Sequence, residues 1–269
     1  MTPNTPATAM PGTAVPHTSE PRTSEPRTAE PHTAASRTAV PGRRVGGASL
    51  VIGPLLLFTG LLLRLRFDFF FPAQLRAYEH HPGLMSASSG LVAAGWVLLW
   101  PGVMFLAARS GERCRELAVW GGVLTVLGLF ARAFHAGVDH LGFQLVNAHG
   151  VAAATRTVGE TYGAFHVFST LNAAVMGGWL LLAIGAYRAR MLGPLRAAAL
   201  ALASAMPLGV LKGTTPLSVV AAAGLCVALV PLGVAAWRDG PVQRAAVVAG
   251  RLLLVIAVGT AMFLFGQVG

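Results

Sequence analysis

Seven long apolar runs, separated by short arginine-bearing loops, fill the chain after about residue 47. They cover 48–63, 84–108, 117–141, 164–187, 195–211, 217–237 and 245–265. A helix needs about 20 apolar residues, within a range of about 17–25, to cross the hydrocarbon core of a bilayer. Most of the runs meet that length, while the first and fifth fall short. Inside lipid every backbone N–H and C=O has to be satisfied within its own segment, so such runs form helices. The fold class expected is an all-α polytopic membrane protein, a bundle of seven transmembrane helices. The fifth run, carrying Pro207 and Lys212, also suits a re-entrant hairpin with the sixth.

Only 11% of the residues are charged, against 54% hydrophobic, far from the roughly 25% charged residues of soluble domains. A net charge of +10 would point to nucleic acid in a soluble protein. Here the basic residues are scattered over a tail and several loops, without a basic stripe beside aromatics, and nucleic acid is excluded as a partner. The charges report topology instead, since arginine gathers in loops that stay in the cytoplasm. With the N-terminus inside, that side receives Arg43, Arg44, Arg109, Arg113, Arg115, Arg188, Arg190, Arg196, Arg238 and Arg244. The outside receives Arg64, Arg66, Arg76, Arg156 and Lys212. Seven spans then place Gly269 outside. Abundant Ala and Gly, with a single lysine beside many arginines, point to a high-GC bacterial genome and hence to an inner-membrane protein.

Residues 6–45 repeat in fives, as in PHTSE, PRTSE, PRTAE and PHTAA, with proline heading seven of the eight pentads. A period of five matches neither the 3.6 of a helix nor the 2 of a strand. Proline at that spacing blocks both, so 1–46 is expected to be a disordered cytoplasmic tail with polyproline-II character. The transmembrane domain then spans 47–269. Cys114 and Cys226 fall in a loop and a span, with neither disulfide nor metal-site spacing. No P-loop, dinucleotide fingerprint or CxxC pair is present.

Polar groups within apolar runs are costly and therefore informative. The six histidines of the helical region, His80, His81, His135, His140, His149 and His166, all map to the outer side of the seven-span topology. The densest stretch is Arg132-Ala-Phe-His135-Ala-Gly-Val-Asp139-His140. On a helix Arg132, His135 and Asp139 stand at i, i+3 and i+7 and share a face, whereas His140 is turned about 100° from Asp139. Ser86, Ser88 and Ser89 open the second span from outside. Glu160, Tyr162, His166, Ser169 and Thr170 lie at the outer end of the fourth. If spans two to four are neighbours, these groups line one outward-facing pocket.

Three chemistries suit that pocket. Two imidazoles and a carboxylate, from His135, Asp139 and His166, form a ligand set for zinc or a similar divalent metal, which could activate water for hydrolysis. His135 and Asp139 could instead exchange protons in a carrier. Haem between His135 and His149 requires a helix unbroken through Gly142 and Asn147, and is the weaker cofactor reading. The purely structural alternative is an Arg132–Asp139 pair neutralised at a helix end, in an accessory subunit. Small-residue pairs such as Gly121-Gly122 and Gly177-Gly178 permit close helix packing, within this chain or with another membrane subunit.

Overall fold

The computed structural model divides into two units, Met1–Ala39 and Val40–Gly269, and describes residues 42–162, 167–206, 209–238 and 245–266. The pentad tail up to residue 41, His166 and Pro207 lie outside the described residues. Every described element is helical. In chain order they are α1 (Arg43–Leu63), α2 (Phe71–His80), α3 (Pro82–Gly111), α4 (Arg115–Thr161) and α5 (Val167–Arg188). There follow α6 (Pro194–Ala201), which runs into a 3-10 turn over Leu202–Ala205, then α7 (Pro216–Arg238) and α8 (Ala245–Gly266). Five of these, α1, α3, α4, α5 and α7, are long and apolar enough to cross a membrane. Their outward faces carry large apolar side chains, including Met104, Trp120, Ile52 and Ile184, a surface suited to lipid rather than water.

One loop and one of the expected runs take a different form. The loop after the first run contains a helix of its own, α2, started by Pro72 at its first turn, where proline loses no helical hydrogen bond. The fifth run does not form one continuous helix. Twelve residues of α6 and its 3-10 turn end at Met206, whose backbone is extended, and residues 209–215 are irregular up to Pro216. α6 runs beside α7, with Arg196 donating to Ala228 O at 2.7 Å. By Thr214 the chain has reached the far end of the bundle, where Arg64 Nε donates to Thr214 Oγ1 at 3.3 Å. Non-helical backbone at membrane depth is tolerated only where protein buries it or a polar cavity solvates it.

Glycine makes the seams between helices. On α1, Gly46, Gly53 and Gly60 recur every seven residues along the side that meets α3, a spacing that keeps one stripe toward a partner. A Cβ at Gly53 would stand 2.9 Å from Leu99 Cγ, and one at Gly60 would stand 2.9 Å from Ser88 O. Gly121 of α4 lies against the Leu182 backbone of α5, and Gly47 of α1 against Gly233 O of α7. Most of these approaches are to the facing backbone and all are within this chain, whereas Gly177 faces open space. Two hydroxyls tie α1 to α3: Ser88 donates to Gly60 O at 2.7 Å, and Ser49 accepts from Gly102 N at 2.9 Å. We expect Gly53→Leu to destabilise the bundle by about 1–3 kcal/mol through overpacking, with Gly177→Ala near neutral. Thermal unfolding of the two purified variants checks the contrast.

One end of the bundle is held by arginines on helix-end carbonyls. Arg113 donates to Ala189 O at 2.9 Å and Arg43 to Ala236 O at 3.0 Å, the usual way a cation satisfies a helix C-terminus. The opposite end, called distal below, is where α1 stops. There α4 runs on to Gly150, whose φ of 78° breaks the helix, and the arm 151–161 follows. A second apolar cluster forms at this end from Phe71, Leu75, Tyr78, Phe143, Val146, Ala154 and Leu211. Tyr78 stacks on Phe143 at 4.5 Å and Phe71 on Tyr162 at 4.7 Å.

Candidate functional site

The Arg132–His135–Asp139 face of α4 looks inward, toward the interrupted segment after α6. Arg132 donates through Nη2 to Met206 O at 3.1 Å, and its guanidinium lies 5.0 Å from the centre of the Trp96 ring. About two turns further along, the Asp139 carboxylate accepts the backbone N–H of Leu211. The two charged residues therefore hold the segment at Met206 and at Leu211, with His135 between them on α4. Leu211 has a φ of 49°, a left-handed conformation rare for a branched side chain and held only where surroundings impose it. Its N–H bond to Asp139 and its side chain, buried against Gly142, are those surroundings.

Between α1, α3, α4 and this segment lies a cavity of about 60 Å³ lined by Arg64, Ser89, Trp96, Arg132, His135, Asp139, Lys212 and Ser218, among others. That is room for a few waters or one small ionic group. Arg64, Arg132 and His135 are buried. The Ser89 hydroxyl is enclosed and has no hydrogen-bond partner among the described residues. Lys212 arrives from the irregular segment, its Nζ 5.7 Å from the centre of the Phe69 ring. Burial pushes the pKa of the Arg64 guanidinium down, and the nearby Asp139 carboxylate partly opposes that shift. The Tyr162 phenol, donating to Val210 O at 3.2 Å, is pushed up by burial first and by Asp139 second.

The cavity thus collects three cationic side chains around one carboxylate. Charges in a low-dielectric enclosure interact far more strongly than in water, so an uneven set of this kind favours an anionic guest. It is the reverse of the carboxylate-rich pattern that draws hard divalent cations.

Of the residues singled out by the sequence, Arg132, His135, Asp139 and Ser89 come together here. His140 and Glu160 are exposed, the first turned off the inward face, the second on the arm beyond Gly150. His80, His81, His149 and Ser86 are exposed too. His166, the third member of the expected zinc set, lies outside the described residues. Among the described residues no three His, Cys, Asp or Glu side chains stand close enough to hold a metal. α4 does remain helical through Gly142 and Asn147. Its fourteen-residue interval nevertheless separates His135 from His149 by roughly 21 Å along the axis, one buried and the other exposed.

The site also contains residues that the sequence did not single out for it. Arg64 reads as an ordinary loop arginine, although it directly closes the first apolar run. Lys212 is the single lysine of the chain and sits just beyond the end of the fifth run, a signal that was available. Trp96 and Ser218 lie within apolar runs and carry none.

Compared with known protein families, curated proteins and solved structures, the chain matches none.

Proposed function

We propose that this chain is a multi-pass membrane protein that takes an anionic group into the Arg64–Arg132–Lys212 cavity, in the manner of a carrier. His135 and Asp139 stand at the same cavity and are placed to exchange a proton with the bound species. The observation that carries the reading is the surplus of buried positive charge beside an interrupted crossing. Carriers build their sites where helices break at membrane depth, because the freed backbone groups and dipoles there meet the substrate. In this reading the segment 194–215 completes a fifth crossing and α8 a seventh. The arginine-rich end then faces the cytoplasm with the N-terminal tail, and the cavity opens toward the outside.

Binding of small oxyanions to the detergent-purified protein tests this directly. Inorganic phosphate, sulfate and acetate are titrated calorimetrically, with Trp96 at the cavity providing a fluorescence signal. We expect saturable binding of at least one of them, weakened about tenfold in Lys212→Gln, the loss of one charge-assisted contact. Among the described residues Lys212 holds up no backbone group, so the variant keeps its thermal stability. A folded protein that binds none of the anions would end the carrier reading.

A further inference from the structure

Beside the basic cavity lies a second hollow of quite different character. It is an apolar groove of about 270 Å³ whose walls include Phe134, Val138, Leu141, Leu145, Val210 and Leu211, and no charged side chain lines it among the described residues. On α4 the two hollows take alternate faces: Arg132, His135 and Asp139 turn to the cavity, while Phe134, Val138 and Leu141 turn to the groove. On the irregular segment they again alternate, with Lys212 on one side and Val210 and Leu211 on the other. A single layer of residues separates them, and the Asp139–Leu211 hydrogen bond is its fastening. Leu141 is 58% exposed, so the groove opens sideways on a helix long and apolar enough to stand in the bilayer.

We infer that the anion taken by the cavity is the head of a bilayer lipid, whose hydrocarbon chain lies in the adjoining groove. This rests on the anion-binding reading of the cavity and specifies its substrate class. Charge complementarity assigns the head to the side of Arg64, Arg132 and Lys212. The uncharged walls and sideways opening assign the chain to the other side. A soluble anion would leave the apolar groove unfilled, and a neutral lipid would leave the excess of positive over negative charge at the cavity unbalanced. Passage between the two hollows requires Asp139 to release Leu211, which its left-handed backbone favours once the bond is gone.

The test is a chain-length series of inorganic, ethyl, butyl and hexyl phosphate, titrated into purified protein below aggregation of the amphiphiles. Affinity is expected to climb about fourfold for each methylene buried, until the groove is filled. Val138→Trp or Leu145→Trp, whichever folds, fills the groove and flattens that climb, leaving inorganic phosphate affinity as in wild type. In nanodiscs, adding phosphatidylglycerol to a phosphatidylcholine bilayer is expected to weaken butyl phosphate binding by competition. A series that binds no better than inorganic phosphate overturns the lipid inference and leaves the cavity reading standing. A climb that persists in the tryptophan variants, or indifference to phosphatidylglycerol, overturns it as well. Failure of inorganic phosphate and the whole series alike takes down both.

Discussion

Arg132→Met is expected to remove anion binding from the cavity and to lower the unfolding temperature in the same variant. Losing one partner of a buried, hydrogen-bonded charge pair costs about 2–5 kcal/mol, which corresponds to roughly 30- to 5,000-fold in affinity. The structural penalty has a separate origin. Met206 O receives Arg132 Nη2 at 3.1 Å, and a buried carbonyl that loses its donor costs about 1–3 kcal/mol. Arg132→Lys separates the two effects. The ammonium keeps the charge but not the planar fork that rests on Trp96, so binding should recover in part and stability only slightly. Phosphate titration and thermal unfolding of the three proteins give the answer. Wild-type affinity in Arg132→Met would mean that the anion binds elsewhere.

The second large effect concerns Asp139, where two substitutions should move in opposite directions. Asp139→Asn retains a carbonyl oxygen for the Leu211 N–H and deletes the carboxylate that opposes the three cations. Two unit charges some 6 Å apart at an effective dielectric near 20 interact by about 3 kcal/mol, so anion affinity should rise tenfold or more. Asp139→Ala also removes the charge, but it leaves the Leu211 N–H without its acceptor. We expect that variant to lose about 1–3 kcal/mol of stability, with the irregular segment becoming open to hydrogen exchange around Leu211. Weaker anion binding in a folded Asp139→Asn protein would show that the carboxylate serves the ligand, and would turn attention back to a cationic guest.

Much of this architecture was legible because lipid leaves a chain few options. Apolar length located α1, α3, α4, α5 and α7, and the i, i+3, i+7 spacing of Arg132, His135 and Asp139 placed them on one helix face. Spacing on a helix does not say what packs opposite that face. Arg64 comes from the end of α1 and Lys212 from a segment without regular structure, so no local period links either to Asp139. The fifth run misleads for a related reason. Its apolar residues satisfy a hydropathy pattern, yet Met206 O and the Leu211 N–H are satisfied by side chains of α4 rather than by helical hydrogen bonds. The third apolar run ends at residue 141, so hydropathy gave no sign that α4 continues to Gly150, where a positive φ breaks it. That break places Glu160 on a separate arm, with its side chain exposed.

The glycine seams have a consequence for how such a protein could work. α1 touches α3 and α7 through backbone atoms, and α4 touches α5 in the same way, so within each group a helix cannot slide or roll by a fraction of a turn without collision. Between the two groups Gly122 of α4 meets the Ala107 methyl of α3, a side-chain boundary about which they could pivot. Residues 209–215 belong to neither group, yet Asp139 on Leu211, Arg64 on Thr214, Tyr162 on Val210 and the Gly213 N–H on Phe69 O at 2.7 Å tie them down. Any alternation of access would therefore have to release those ties or pivot the two groups about the boundary between α3 and α4.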